Sequence, residues 1–317
     1  MMLALENLRT QLLSTSEPTL FSQARFADVV VRAISEFAPS RYQRWSVDSL
    51  VGVQTLLSYG RRSISLCPFG LYAHPSRGRD LSMTVRDVVS QLKTLSTVSF
   101  EWNVRFDHDA LANELLTIGI TSTRTVTHVL TINDDYEATF GAYNSTARNL
   151  VRRAKREGLL VRTSRSSQDV NVYYDIYLRV ASAKGTYRFI YPRKLFHGLL
   201  ELRNDVAFIV AEYEGRVIAG GWFFRDGDGM LYWHAAMNAE LSKYSPMYGI
   251  VDHAIRMAHD EGRKSVNFGG SSGIRSLEEF KNKWGAEPTL CWRFQWHNPF
   301  WKSMRKVKAS LRYAYAR

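Results

Sequence analysis

Two glycine-bearing turns in the stretch 205–235 leave little freedom in how this chain folds. Apolar, β-branched and aromatic residues run to Tyr213 and break at Glu214-Gly215. They run again to Arg225, break between Asp226 and Gly229, and run a third time to Ala235. Strand-like runs joined by such short Gly turns pair with their neighbours, so the stretch predicts a three-stranded antiparallel meander. The segments around it alternate in type. Helical periodicity covers 136–157 (begun by Asp134 and Asp135, stopped by Gly158), 168–184 and 192–203, with a strand, LLVRTS, between the first two. After the meander come a loop (239–247), a helix (248–261) closed by Gly262, the strand KSVNFGG, a short helix SLEEFKNKWG and a strand at 291–296.

The first half repeats parts of this order with weaker signals. Helices are expected at 1–15, 22–37, 81–95 and 107–118, and strands at 50–58, 62–67, SFEWNVRF and 127–132. The Pro- and Gly-rich PFGLYAHPSRGRD reads as a loop. With 317 residues and 45% hydrophobic content, the chain has mass for two cores. The reading is an α+β protein of two similar lobes, 1–140 and 141–298, with a basic C-terminal helix at 299–317. That helix carries Phe300, Met304, Val307 and Leu311 on one face, which caps a lobe or touches an acidic membrane surface. Two cysteines, Cys67 and Cys291, are too few for a disulfide scaffold or a thiolate zinc site. No secretory leader and no apolar run of ~20 residues is visible, so a soluble cytoplasmic protein without an integral membrane segment is expected.

Charge is uneven. Residues 1–140 hold 13 Lys plus Arg against 14 Asp plus Glu, and residues 141–317 hold 29 against 16. The net charge of +12 therefore belongs to the second half, where a polyanion would bind: nucleic acid, a nucleotide diphosphate or an acidic membrane. Part of it is concentrated in TARNLVRRAKREG, where Arg148, Arg152, Lys155 and Arg156 share a broad helix face that can bind phosphates or remain solvated surface. A second segment ends a strand in Gly269-Gly270-Ser271-Ser272-Gly273 and continues into a helix carrying Phe280-Lys281. Small residues at a strand end allow backbone to approach a ligand, and their N–H groups can hold an oxyanion or phosphate. His253 and His259 lie six apart, a poor metal spacing on one helix face, and no metal is expected. Asp252 or His253 is a candidate proton acceptor, and Trp222, Tyr232 and Trp233 read as sheet core.

Together these two segments resemble the FemAB-like (FemX-type) branch of the GNAT acyltransferase superfamily. The matching residues are Arg148, Arg152, Ala154, Lys155 and Gly158, then Gly262, Phe268 to Ser271, Phe280, Lys281, Gly285 and Pro288, with Pro68-Phe69-Gly70 in the first half. The resemblance spans most of residues 50–298 and implies two GNAT-like lobes, each a mixed, mostly antiparallel sheet flanked by helices. It implies an N-acyltransferase or aminoacyltransferase that forms an amide bond on an amine acceptor: a cell-wall precursor, a polysaccharide or a small metabolite. The donor is aminoacyl-tRNA or an acyl thioester such as acyl-coenzyme A, used as co-substrate, with no tightly bound cofactor. In the family pattern Lys281, with Phe280 beside it, stabilises charge on the donor's carbonyl oxygen. Arg148, Arg152, Lys155, Gly269, Gly270 and Ser271 face the donor, and Lys184 and Arg188 the acceptor. An ammonium suits a developing oxyanion, and an amine needs no covalent nucleophile. Two departures matter. Tyr244 to Gly249 replaces the usual Gly-rich pyrophosphate loop, and no long charged helical insertion separates the lobes. The alternatives are an acyl-coenzyme A-dependent N-acetyltransferase and a non-catalytic binder of RNA or an anionic surface.

Overall fold

The computed structural model describes residues 20–35, 40–47, 50–59, 62–65, 71–75, 97–104, 116–117, 119–183, 191–271 and 273–297. These residues form two compact units. One holds Phe21–Thr125 and the chain from Leu290 onward; the other holds Leu20 and Val126–Thr289. The division falls inside two strands and not at 140/141, the lobe boundary expected above.

In the first unit, helix α1 (Ala24–Ile34) buries Phe26, Ala27, Val29, Val30 and Ala33 and packs on β1 (Ser40–Val47) and β2 (Leu50–Tyr59). Strands β3 (Arg62–Ser65), β4 (Leu71–Pro75) and β5 (Thr97–Val104) extend the sheet. Its order is β1-β2-β3-β5-β12, where β12 is Glu287–His297, and β4 pairs with β2 and β5. Two strands differ from expectation. SRYQRWSV is strand β1, although its charges mask any apolar alternation; eight backbone pairs with β2 hold it. Leu71–Pro75 is strand β4 inside the segment read as loop, with proline at the strand end, where a missing donor does least harm. The expected helices 1–15, 81–95 and 299–317 lie outside the described residues, as does most of 107–118.

The second unit is built on a sheet of order β6-β11-β10-β9-β8-β7. The meander stands as expected: β8 (Val206–Tyr213), β9 (Arg216–Asp226) and β10 (Gly229–Met237) are antiparallel. Strand β7 (Leu160–Ser164) adds to β8. Strand β11 (Ser265–Gly270) runs parallel to β10 and antiparallel to β6 (Thr121–Thr131). Helices α4 (Ser167–Ala183) and α5 (Arg193–Glu201) bury Tyr173 and Phe196 with Phe208 and Trp222, whose rings stack 4.3 Å apart. A second core, around Phe223, Val266 and Phe268, is closed by α6 (Pro246–Asp260) and by Tyr143, Val151 and Trp284.

The expected helix 136–157 is two helices, α2 (Tyr136–Ala142) and α3 (Ser145–Arg156). The break follows from Asn144, whose side chain accepts from the Ala147 N–H at 2.8 Å and starts a new helix. The loop 239–247 contains a 3-10 turn, Ala239–Tyr244, and α6 begins at Pro246. No helix among the described residues is long and apolar enough to cross a membrane.

Candidate active site

Strands β10 and β11 lie in register over three residues each, Gly229–Leu231 against Ser265–Asn267, and their ladder stops there. Beyond that point β10 bulges between Tyr232 and His234. On the other side of β11 the register slips as well: Asn267 opposes Val129 and Gly270 opposes Thr127. Phe268 and Gly269 therefore face the single residue His128, which is a β-bulge. Gly269 holds φ at +69°, the left-handed conformation such a bulge favours. Asn267 pins it by accepting from the Gly269 N–H at 2.8 Å and from the Thr127 hydroxyl at 2.5 Å.

Into this strand end projects Lys281 of α7 (Arg275–Asn282). It is 5% exposed, and its Nζ donates to the Gly269 carbonyl at 2.7 Å. Burial lowers its pKa to about 8, with Glu278 one turn back acting the other way. The ammonium is thus held beside the bulge and still mostly protonated at neutral pH. Phe280 faces elsewhere, with its ring against Tyr248 and Trp284. Adjacent helical residues point about 100° apart, so Phe280 seats the helix while Lys281 reaches the strand. Ser271 is buried, and its hydroxyl has no hydrogen-bond partner among the described residues. His128 is 5% exposed and its Nδ1 is likewise unpartnered. Burial, followed by the Lys281 charge, moves its pKa below the usual histidine value, against an opposing pull from Glu278.

Residues 142–282 match the acetyltransferase (GNAT) domain family. Among solved structures, FemX aligns over 92% of this chain and 96% of its own, with a TM-score of 0.67 and 13% identity. The C-terminal domain of a provisionally named lysylphosphatidylglycerol synthetase from Agrobacterium fabrum aligns over 91% and 96%, with a TM-score of 0.59 and 12% identity. The L-PGS structure from Bacillus licheniformis aligns over 92% and 97%, at 0.55 and 10%. No curated protein sequence matches the chain. The chain has the fold of the FemAB-like branch of the GNAT acyltransferases.

In this GNAT domain the cations of α3 do not act as one row. Arg148 turns back and donates to the carbonyls of Gly141, at 2.9 Å, and Tyr143, closing the end of α2. Arg152 is exposed and lies over the Phe140 ring at 5.6 Å. Lys155 is exposed too, with its Nζ 4.0 Å from Asp252. No hydrogen bond or ion pair among the described residues joins these cations to Lys281 or to Gly269–Ser271. Gly269, Gly270, Ser271 and Lys281 are brought together; Lys184 and Arg188 lie outside the described residues.

The two proton-acceptor candidates have other partners. The buried carboxylate of Asp252 accepts from the Tyr136 hydroxyl at 2.5 Å and the Tyr143 hydroxyl at 3.5 Å. Burial, with Asp252 adding to it, moves both phenols above their ordinary pKa. His253 meets Thr163 at 3.3 Å beside edge strand β7, in a shallow surface hollow shared with Arg256 and Asp260. No group of His, Cys, Asp and Glu among the described residues could hold a metal ion. Sequence reasoning missed His128. A lone histidine in an alternating strand gives no signal, because the bulge facing it is a property of cross-strand register.

Proposed function

We propose that this protein is an N-acyltransferase that moves an aminoacyl or acyl group from an activated ester or thioester to an amine. The observation that carries the reading is the buried Lys281 ammonium at the splayed end of β11. Gly269 takes one of its three N–H donors, which leaves donors for a carbonyl oxygen. Attack by a neutral amine places negative charge on that oxygen, and a fixed cation in a water-poor site stabilises it. The C–N bond forms, the C–O or C–S bond breaks, and the leaving group departs as an alcohol or thiol. Phe280 seats the helix, and the Gly269–Ser271 backbone lets the donor approach. Lys184 and Arg188 remain the acceptor-side candidates.

The donor we favour is aminoacyl-tRNA, on the strength of the excess positive charge in residues 141–317 and the exposed Arg152, Lys155 and Arg156. The match to an acetyltransferase domain favours a second reading with acyl-coenzyme A. Purified protein added to a cell extract with labelled amino acids, with and without RNase, separates them. Protein-dependent amide formation abolished by RNase supports the tRNA donor. Activity that survives RNase supports the thioester, and no protein-dependent amide with either donor sinks the transferase reading. Replacing Arg152 and Lys155 together by Gln is expected to weaken tRNA binding and lower the slope of log K against log salt by about 1 to 2. An unchanged slope in a salt titration would show that α3 is solvated surface only.

A further inference from the structure

We infer that His128 is the proton acceptor for the attacking amine; the inference rests on the transferase reading above. His128 is the single β6 residue opposite the two-residue bulge Phe268-Gly269, and the Gly269 carbonyl holds the Lys281 ammonium. It is 5% exposed, and its Nδ1 has no hydrogen-bond partner among the described residues. A buried polar nitrogen left unsatisfied costs free energy, and a ligand donor removes that cost. Ser271 adds a second unsatisfied buried atom, its hydroxyl, two residues after Gly269. An ammonium held at the Gly269 carbonyl and an imidazole opposite the bulge thus lie at one strand end, with the Ser271 hydroxyl two residues along the chain.

The electrostatics suit a base. The charged groups acting on His128 are Lys281 and Glu278, both from α7. Burial and the Lys281 charge keep the imidazole neutral at physiological pH, so with its proton on Nε2 it accepts at Nδ1. The same cation disfavours an ammonium arriving beside it and so favours the free, nucleophilic amine. In the step proposed, the acceptor R–NH3+ gives one proton to His128 Nδ1 and the neutral amine attacks the donor carbonyl carbon. The tetrahedral intermediate then loses its second N–H proton to the leaving oxygen or sulfur as that bond breaks. The imidazolium returns its proton to solvent. Asp252 and His253, the earlier candidates, are held by tyrosine hydroxyls and by Thr163.

The test compares wild type, His128→Asn and His128→Gln in the extract reaction described above, over a pH series from about 5 to 9. The expected result is a fall in amide formation of about a hundredfold or more at neutral pH. Donor binding should be unchanged, and the acid limb of the wild-type profile should be absent in the variants. A variant within threefold of wild type that keeps this limb overturns the inference and leaves the transferase reading standing. If wild type itself forms no amide, both fall together. Circular dichroism checks the fold, and if neither variant folds, histidine-labelled wild type decides by NMR. A His128 imidazole titrating below the ordinary 6.5 and shifting when donor is added supports the inference. One that titrates above that value, or ignores donor, overturns it.

Discussion

Lys281→Met is expected to lose amide formation by about 10²–10³-fold, the loss of about 3–4 kcal/mol typical of removing one oxyanion-stabilising donor. Methionine nearly conserves the volume, so the helix should stay seated by Phe280 and Trp284. The stability signature is as specific as the kinetic one. In the folded protein the Lys281 pKa lies near 8 against an ordinary 10.5, so between those values the unfolded chain binds more protons. Stability of the wild type must therefore rise with pH through that window, by about 3 kcal/mol if the whole displacement is realised. Below about pH 8 the full cost of burying the ammonium is present. The Met variant has no such group, so in urea melts the wild type should gain on it by about that amount as pH rises through this window. Activity runs the opposite way: the protonated form is the useful one, so turnover should decline as pH rises through about 8. A Met variant that still forms amide rules out the role given to Lys281. A stability difference that is flat with pH shows that Lys281 is not buried as an ammonium. A cation kept against its own desolvation at a strand end is a candidate functional group.

What could be read from the sequence was local. The meander was visible because its two turns carry glycines at fixed offsets and its strands are dense in β-formers. Lys281 was visible because Phe280-Lys281, Gly285 and Pro288 stand close together in a pattern the family shares. What escaped depends on contacts between distant segments. Strand β1 carries Arg41 and Arg44 and no clean apolar alternation, and owes its state to β2. The helix 136–157 shows unbroken periodicity, and only the Asn144 cap divides it. That division gives Arg148 its carbonyl partners. Helical spacing puts Arg148 on a face with Arg152 and Lys155, but the chain reversal at Tyr143 brings the Gly141 and Tyr143 carbonyls within its reach. His128 gains its surroundings from a register slip between β6 and β11, which no spacing along one strand records. The candidate site was thus legible in its electrophile-stabilising half and silent in the half assigned here to proton transfer.

A large stability effect from a single methyl group is expected at Gly285. This residue follows α7 with φ at +76°, and its N–H closes the helix end on the Asn282 carbonyl at 3.1 Å. A Cβ placed there would lie 2.7 Å from the Ala142 carbonyl oxygen and 3.3 Å from its carbon, both backbone atoms at the end of α2. A side-chain tip could swing aside; this backbone is held by the Asn144 N–H to Lys283 carbonyl bond at 2.9 Å and by Trp284 packed edge-on to Tyr143 at 4.9 Å. Left-handed backbone costs an L-residue about 1–2 kcal/mol, and overpacking adds about 1–3. Gly285→Ala should therefore lose about 2–5 kcal/mol in a denaturant melt. Gly262→Ala separates the two causes, because Gly262 has φ at +67° but open space around its Cβ position. It should lose only the conformational part, about 1–2 kcal/mol. If the two variants melt alike, the approach of the α7 turn to α2 does not constrain the fold. Because Lys281 lies four residues before Gly285 on the same helix and turn, any surviving folded Gly285→Ala protein should also form amide more slowly, in proportion to how far Nζ moves from Gly269.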